Sequence, residues 1–236
     1  MITALKIFKQ QVKKYESLGM INHPYKYFFR WRKSLINGAN SIKDELPWIT
    51  FNAIDFISKH LNANSKVFEF GGGGSTLFFL KNKARVYTVE HDEKWFDVLK
   101  NVVTEKKYSN WIGYFIEAEK GVLVEKPDKS EPLHFFTEDS NYLNCNFKSY
   151  ASKINDFENG FFDIVLVDGR SRASCINQSI LKIKKSGLLV LDNSDRNYYT
   201  SRINQLIEDN FDLVLTNYAP SPYSKDFTHT TIWVKK

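Results

Sequence analysis

Val67-Phe-Glu-Phe-Gly71-Gly-Gly-Gly74-Ser75-Thr76 is the stretch that decides the fold. KVFEF reads as a short strand, the four glycines as a tight turn and STLFFLKN as a short helix. Glycines there let the backbone turn sharply and approach a ligand with no Cβ in the way. The helix start that follows offers free N–H groups to a polar or anionic ligand. No Gly-Lys-Ser/Thr follows, so this is not a phosphate-binding P-loop. Thr76 stands where a dinucleotide fingerprint would carry its third glycine.

Outward from that turn, strands and helices alternate. RVYTVE is a second strand, DEKWFDVLKNVVTEKK a helix and WIGYFIEA a third strand. FDIVLVD is a fourth, nearly all apolar, as a strand covered on both faces should be. A helix over Ala173 to Lys185, the strand GLLVLD, a helix over Tyr198 to Asn210, then FDLVLTNY and TTIWVKK complete the pattern. The alternation predicts an α/β fold: a doubly wound, mostly parallel seven-stranded sheet with helices on both faces. The last two strands, with no clear helix between them, are expected as an antiparallel edge hairpin. Glu119 to Asn146 breaks the rhythm. It is polar, carries Pro127 and Pro132, and is too long for an ordinary connection. A substrate lid and a surface excursion without a role are both open for it.

The chain has 236 residues, 42% hydrophobic and 25% charged, which excludes a disordered chain. No apolar run approaches the roughly 18 residues of a membrane span. The N-terminus shows no signal-peptide pattern, and the two cysteines, Cys145 and Cys175, form no metal motif. These features together predict a cytoplasmic protein. The net charge of +6 is uneven: residues 1–34 hold eight basic residues against Glu16 alone, so the rest of the chain is near neutral. Residues 2–18 read as an amphipathic helix with an apolar stripe of Ile2, Leu5, Phe8, Val12 and Tyr15. That stripe is expected to pack on the sheet or on a second subunit of a homo-oligomer. A polar stretch from Asn37 to Asp44 leads to Thr50, an expected helix N-cap. The expected division is a basic helical extension over 1–47 and a main domain over 48–236.

Two acids direct the reading of the turn. Glu90 ends the second strand, where a carboxylate can accept from both vicinal hydroxyls of a ribose. Glu69 lies two residues before the first glycine. An acid there would repel a pyrophosphate and suit a cofactor with a cationic amino-acid portion, such as S-adenosylmethionine. With Glu69 to Gly74 as E-x-G-x-G-G and Glu90 at the second strand end, residues 48–236 resemble the class I S-adenosylmethionine-dependent methyltransferases, which have a Rossmann-like fold. The resemblance implies that Glu69, Gly71, Gly72, Gly73, Gly74 and Ser75 contact the methionine portion, and that Glu90 holds the ribose. His91 flanks the adenine or stands idle beside a helix-capping Asp92.

Ligands of such sheets bind beyond the carboxyl ends of the strands. Asp168-Gly-Arg170-Ser-Arg172 and Asp192-Asn193-Ser-Asp195-Arg196 are expected there. The pairing of Asp168 with Asp192-Asn193 resembles the metal-dependent catechol and caffeoyl-coenzyme-A O-methyltransferases. That resemblance implies Mg²⁺ on Asp168, Asp192 and Asn193, hard oxygen donors that suit it. The crowding of Arg170, Arg172 and Arg196 departs from the pattern. A metal-free reading makes Asp168 the general base and the arginines a clamp for a carboxylate or phosphate; ion pairs of the arginines with Asp163 and Asp195 are a third. His229 is expected to be structural. The expected activity is methyl transfer to a small, anionic acceptor, with Asp168 and Asp192 catalytic and O-methylation favoured. The alternative is an inactive nucleotide-fold adaptor that binds a membrane surface or nucleic acid through residues 1–34. Nucleic acid is disfavoured by the near-neutral main domain.

Overall fold

The computed structural model describes residues 2–121 and 124–236; Met1, Val122, Leu123 and the side chain of Ile2 lie outside that description. Seven strands form the central sheet: β1 (Lys66–Phe70), β2 (Arg85–Glu90), β3 (Trp111–Phe115), β4 (Phe162–Val167), β5 (Ile183–Asp192), β6 (Phe211–Ala219) and β7 (Thr228–Lys235). Their order is β3-β2-β1-β4-β5-β7-β6. The pairs from β3 through β5 are parallel, while β7 runs antiparallel to both β5 and β6. The expected edge hairpin is present, with its second strand inserted between β5 and β6. Chain order reverses between β1 and β4, which opens a crevice at their carboxyl ends.

Nine α-helices are described: α1 (Ile2–Glu16), α2 (Phe28–Ser34), α3 (Ser41–Asp44), α4 (Phe51–His60), α5 (Gly74–Lys81), α6 (Glu93–Glu105), α7 (Lys148–Ser152), α8 (Arg172–Ser179) and α9 (Asn204–Asn210). Phe8, Val12 and Tyr15 of the α1 stripe are buried in the hydrophobic core that covers one face of the sheet. Phe8 meets Trp31 and Phe227 with ring centroids 5.1 Å apart, and Tyr15 stacks on Tyr218 at 4.0 Å. Each such burial contributes roughly 1.5–3 kcal/mol. The chain after α1 also meets the outer edge of β6. The Tyr218 N–H donates to the Met20 carbonyl at 2.9 Å, and Ile21 bridges to Tyr218 in parallel sense. The lysines at 6, 9, 13 and 14 stay exposed.

Two helices are shorter than the periodicity predicts. α8 stops at Ser179 because the carbonyls of Leu181 and Lys182 accept from the N–H groups of Gly160 and Phe162, which draws the chain into β5. β5 then runs irregularly, with Phe162 facing Ile183 but Ile164 facing Leu188. The helix expected over Tyr198 to Asn210 is a single turn, Asn197–Tyr199, followed by α9. The break covers Thr200 to Ile203, of which Thr200, Ser201 and Ile203 are poorer helix formers than Ala or Leu. Thr50 precedes α4 but its hydroxyl makes no capping bond; its N–H instead donates to Thr230 Oγ1. No helix among the described residues is long and apolar enough to cross a membrane.

Candidate functional site

The glycine turn sits at the carboxyl end of β1, where each glycine answers a different constraint. Gly71 has φ +89, and a Cβ on it would lie 3.0 Å from the Gly169 Cα of the neighbouring loop. Gly74 opens α5 against α3, where a Cβ would lie 2.5 Å from the Ser41 carbonyl oxygen. A side chain at Gly72 would strike Leu99 and Thr88. Only Gly73 has room, with the Trp95 ring at 3.8 Å as its nearest neighbour. The Trp95 indole N–H donates to the Gly72 carbonyl at 2.8 Å, and the Gly73 N–H donates to Thr76 Oγ1 at 3.0 Å.

Glu90 is buried beside the turn. Its Oε2 accepts from the Gly72 N–H at 3.1 Å, and its Oε1 accepts from the N–H groups of His91 at 2.7 Å and Asp92 at 3.0 Å. Burial acts to raise its pKa, but the His91 side chain and these backbone donors outweigh it and hold the carboxyl below its usual range. The group is therefore an ionised acceptor at neutral pH. The His91 Nδ1 lies 2.8 Å from Glu90 Oε1, and its ring packs edge-on against Tyr142, Phe147 and Tyr150. Asp92 caps α6 by accepting from the Trp95 N–H at 2.9 Å, as expected.

Glu69 differs from its expected place. It is fully buried beneath the turn and does not line the groove. Thr88 Oγ1 donates to its Oε2 at 3.0 Å, while its Oε1 has no partner. Burial raises its pKa to about 7 against the pull of the Ser75, Thr76 and Thr88 hydroxyls. Its place is that of a support under the turn.

A groove of about 430 Å³ runs from the turn across the sheet end, lined by Gly71 to Ser75, Glu90, His91, Trp48, Trp95 and Asp168. Asn141 and Tyr142 of the 119–146 excursion form its far wall. The excursion is closed at its base by an antiparallel pairing of Glu119–Lys120 with Cys145–Asn146. It is tied down by a 2.7 Å ion pair between Asp139 and Arg170. Neither wall residue carries a local sequence signal; Trp95 has one, an aromatic three residues after the Asp92 cap.

Past Gly169 and Arg170 the groove meets a cavity of about 240 Å³, bordered by the cations Lys129, Arg170, Arg172 and Arg196 and by the acids Glu138 and Asp139, which pair with Lys129 and Arg170. The three arginines differ in how they are held. Arg170 pairs with Asp139, and the Arg196 side chain, among the described residues, bonds only the neutral Tyr199 hydroxyl, at 3.0 Å. Arg172 is buried, and all its N–H groups are engaged by the protein. Nε donates to the Gly169 carbonyl (3.0 Å), Nη1 to the Asp192 carbonyl (2.5 Å) and Asn193 Oδ1 (3.4 Å), and Nη2 to Asp168 O (2.8 Å) and Oδ1 (3.0 Å). Five donors are all a guanidinium has, so none is left for a substrate. None of the arginines pairs with Asp163 or Asp195, and Asp163 instead meets Lys184 and the Lys66 N–H.

Asp168 lines the groove just before Gly169 and Arg170, the two residues that border both groove and cavity. Burial pushes its carboxyl above the ordinary range, against the attraction of Arg172 and Arg170. Asp192 does not face the groove. It is buried, accepts from Thr230 Oγ1 at 2.9 Å, and is pushed up to about 8 by burial and by the nearby Asp168 charge. Asp168, Asp192 and Asn193 therefore do not fit a Mg²⁺ site, because the Arg172 guanidinium occupies the space between them and Asp192 turns its carboxylate to Thr230. Among the described residues no cluster of His, Cys, Asp and Glu is arranged to hold a metal ion. His229 is structural, as expected: its Nδ1 meets Ser194 Oγ at 2.7 Å and its ring packs on Tyr218.

No family model matches the chain, and no curated protein matches it in sequence. Solved structures do match in shape. A Streptococcus mutans protein provisionally classed as a methyltransferase, solved in complex with SAH, superposes with a TM-score of 0.52 at 13% identity, over 78% of this chain and 96% of that one. A provisionally classed rRNA methylase from Clostridium thermocellum gives 0.53 at 8% identity, over 78% and 94%. An rRNA methylase from Streptococcus thermophilus gives 0.50 at 13% identity, over 78% and 94%. The fold is the Rossmann-like fold of the class I S-adenosylmethionine-dependent methyltransferases. At these identities the likeness concerns the fold, and nothing in it favours the catechol branch.

Proposed function

We propose that this protein is an S-adenosylmethionine-dependent methyltransferase that modifies an oxygen of a small, anionic acceptor. The observation that carries this reading is the ionised Glu90 carboxylate, fixed by three backbone N–H groups and facing a groove whose other wall is the glycine turn. Glu90 Oε2 accepts from the Gly72 N–H alone and keeps a lone pair for a ribose hydroxyl. Among the described residues Arg170 is the one Lys or Arg that lines the groove, and it pairs with Asp139, which suits a nucleoside without phosphate. When bound, S-adenosylmethionine supplies a methyl group on a sulfonium that is already a good leaving group, so alignment is the main requirement.

The chain's residues divide that work. The glycine turn, Glu90 and Trp95 hold the cofactor end. Asp168 lines the cofactor groove two residues before Arg170, which also borders the cavity, and is the carboxylate placed to take a proton from the acceptor oxygen. Arg196, with no carboxylate partner, and Arg170 orient an anionic group of the acceptor. The cavity volume favours a small molecule, since an apolar cavity of about 150 Å³ already takes up a benzene. Calorimetry with S-adenosylhomocysteine tests the reading. Binding in the micromolar range is expected, and no heat from pure protein at high micromolar ligand overturns it.

A further inference from the structure

We propose that Arg172 is the resident cation of this site: its guanidinium takes the place a divalent metal would occupy between β4 and β5, and its removal uncovers a binding site for a hard divalent cation. Four oxygens converge on this one group. They are the carbonyl and Oδ1 of Asp168, the carbonyl of Asp192 and Oδ1 of Asn193. Carboxylate, amide and carbonyl oxygens from two adjacent strand ends are the donors that Mg²⁺ or Mn²⁺ prefers. Here they meet a planar cation instead, buried to 7% exposure and anchored a fifth time through Gly169.

The exchange has a chemical consequence. A metal keeps an open coordination position at which an acceptor oxygen is bound and made acidic. A guanidinium with every N–H engaged has no such position. It fixes Asp168 by Oδ1 and links the ends of β4 and β5, but it does not touch the acceptor. Arg172 is thus a positioning residue. The acceptor oxygen must either arrive ionised or lose its proton to Asp168, and a vicinal diol gains nothing by chelation. This inference holds whatever molecule fills the groove.

The test is titration of the full-length protein with Mn²⁺, read by calorimetry and by the loss of free-ion EPR signal. Wild type is expected to show no Mn²⁺ site that Asp168→Asn removes. Arg172→Ala is expected to bind Mn²⁺ at least tenfold more tightly than wild type, and the double variant with Asp168→Asn to lose that gain. Circular dichroism shows whether each variant is folded. Should the alanine variant fail to fold, Arg172→Gln, which keeps a planar donor without the charge, is read in the same way. A wild-type site that Asp168→Asn abolishes overturns the proposal, as does the absence of any gain in a folded Arg172 variant. S-adenosylhomocysteine plays no part in the readout, so failure of the cofactor reading and failure of this one are separate results.

Discussion

The two halves of the groove are built by different means. At the β1–β2 end the functional carboxylate, Glu90, is held by backbone N–H groups of residues close to it in the fold, Gly72, His91 and Asp92. At the β4–β5 end, Asp168 is held by a side chain, Arg172, which also reaches 20 residues along the chain to Asp192. Backbone donors are available whatever the residue type, so the first half depends on glycine and turn geometry. The second half depends on one long, charged side chain, and a single substitution can undo it.

That contrast sets the order of expected effects. Arg172→Ala should be the most damaging to the fold, because it leaves Asp168 without its partner and empties a buried volume. Loss of one member of a buried pair costs about 3–5 kcal/mol, and the partial exposure of Asp168 places this case near the lower figure, measured by urea unfolding at pH 7. Glu90→Gln should leave the fold in place but weaken S-adenosylhomocysteine. Hydrogen bonds to a charged acceptor are worth about 1.5–3 kcal/mol, so the affinity should fall roughly 10- to 150-fold in calorimetry. A fall of less than threefold would remove Glu90 from the cofactor site.

Glu69→Gln tests the support under the turn through pH. Burial holds the folded-state pKa of Glu69 at about 7, above the ordinary 4.5 of a glutamate. The folded protein therefore holds a proton there that the unfolded chain releases. The stability it contributes is complete below pH 4.5 and is lost as pH rises towards 7, by up to about 1.4 kcal/mol per pH unit. Wild type should lose stability against the glutamine variant across that window, and parallel unfolding curves from pH 5 to 8 would contradict it. Arg196→Ala should have the smallest effect: within about 0.5 kcal/mol on stability and no change in S-adenosylhomocysteine affinity, since its one side-chain partner is a neutral hydroxyl. A change in that affinity would merge the two halves that the comparison separates.

How much of this could be read in the sequence follows from the same contrast. The strand–glycine–helix unit and the acid at the end of β2 are local patterns, and the structure places both at the groove. The seven strands follow from periodicity, including the inserted β7. What the sequence concealed depends on contacts between distant residues. Arg172 looks like Arg196 along the chain, yet one is saturated inside the protein and the other is bonded to a tyrosine. Asp192 looks like Asp168, yet Thr230 on β7 turns it away from the groove. The early end of α8 comes from pairing with Gly160 and Phe162 and leaves no local trace. Glu69 has the right position in its motif, but only the packed sheet shows that it lies beneath the turn.

The contact of Met20 and Ile21 with Tyr218 has a consequence for handling the protein. β6 is the last strand of the sheet, and Leu213 and Val214 are exposed on it. An uncovered strand edge beside apolar side chains is a template for pairing with another chain. Because α1 also belongs to the core, a version trimmed of its first 22 residues would bare both the sheet face under Phe8, Val12 and Tyr15 and the β6 edge at Tyr218, and should be less stable and prone to self-associate.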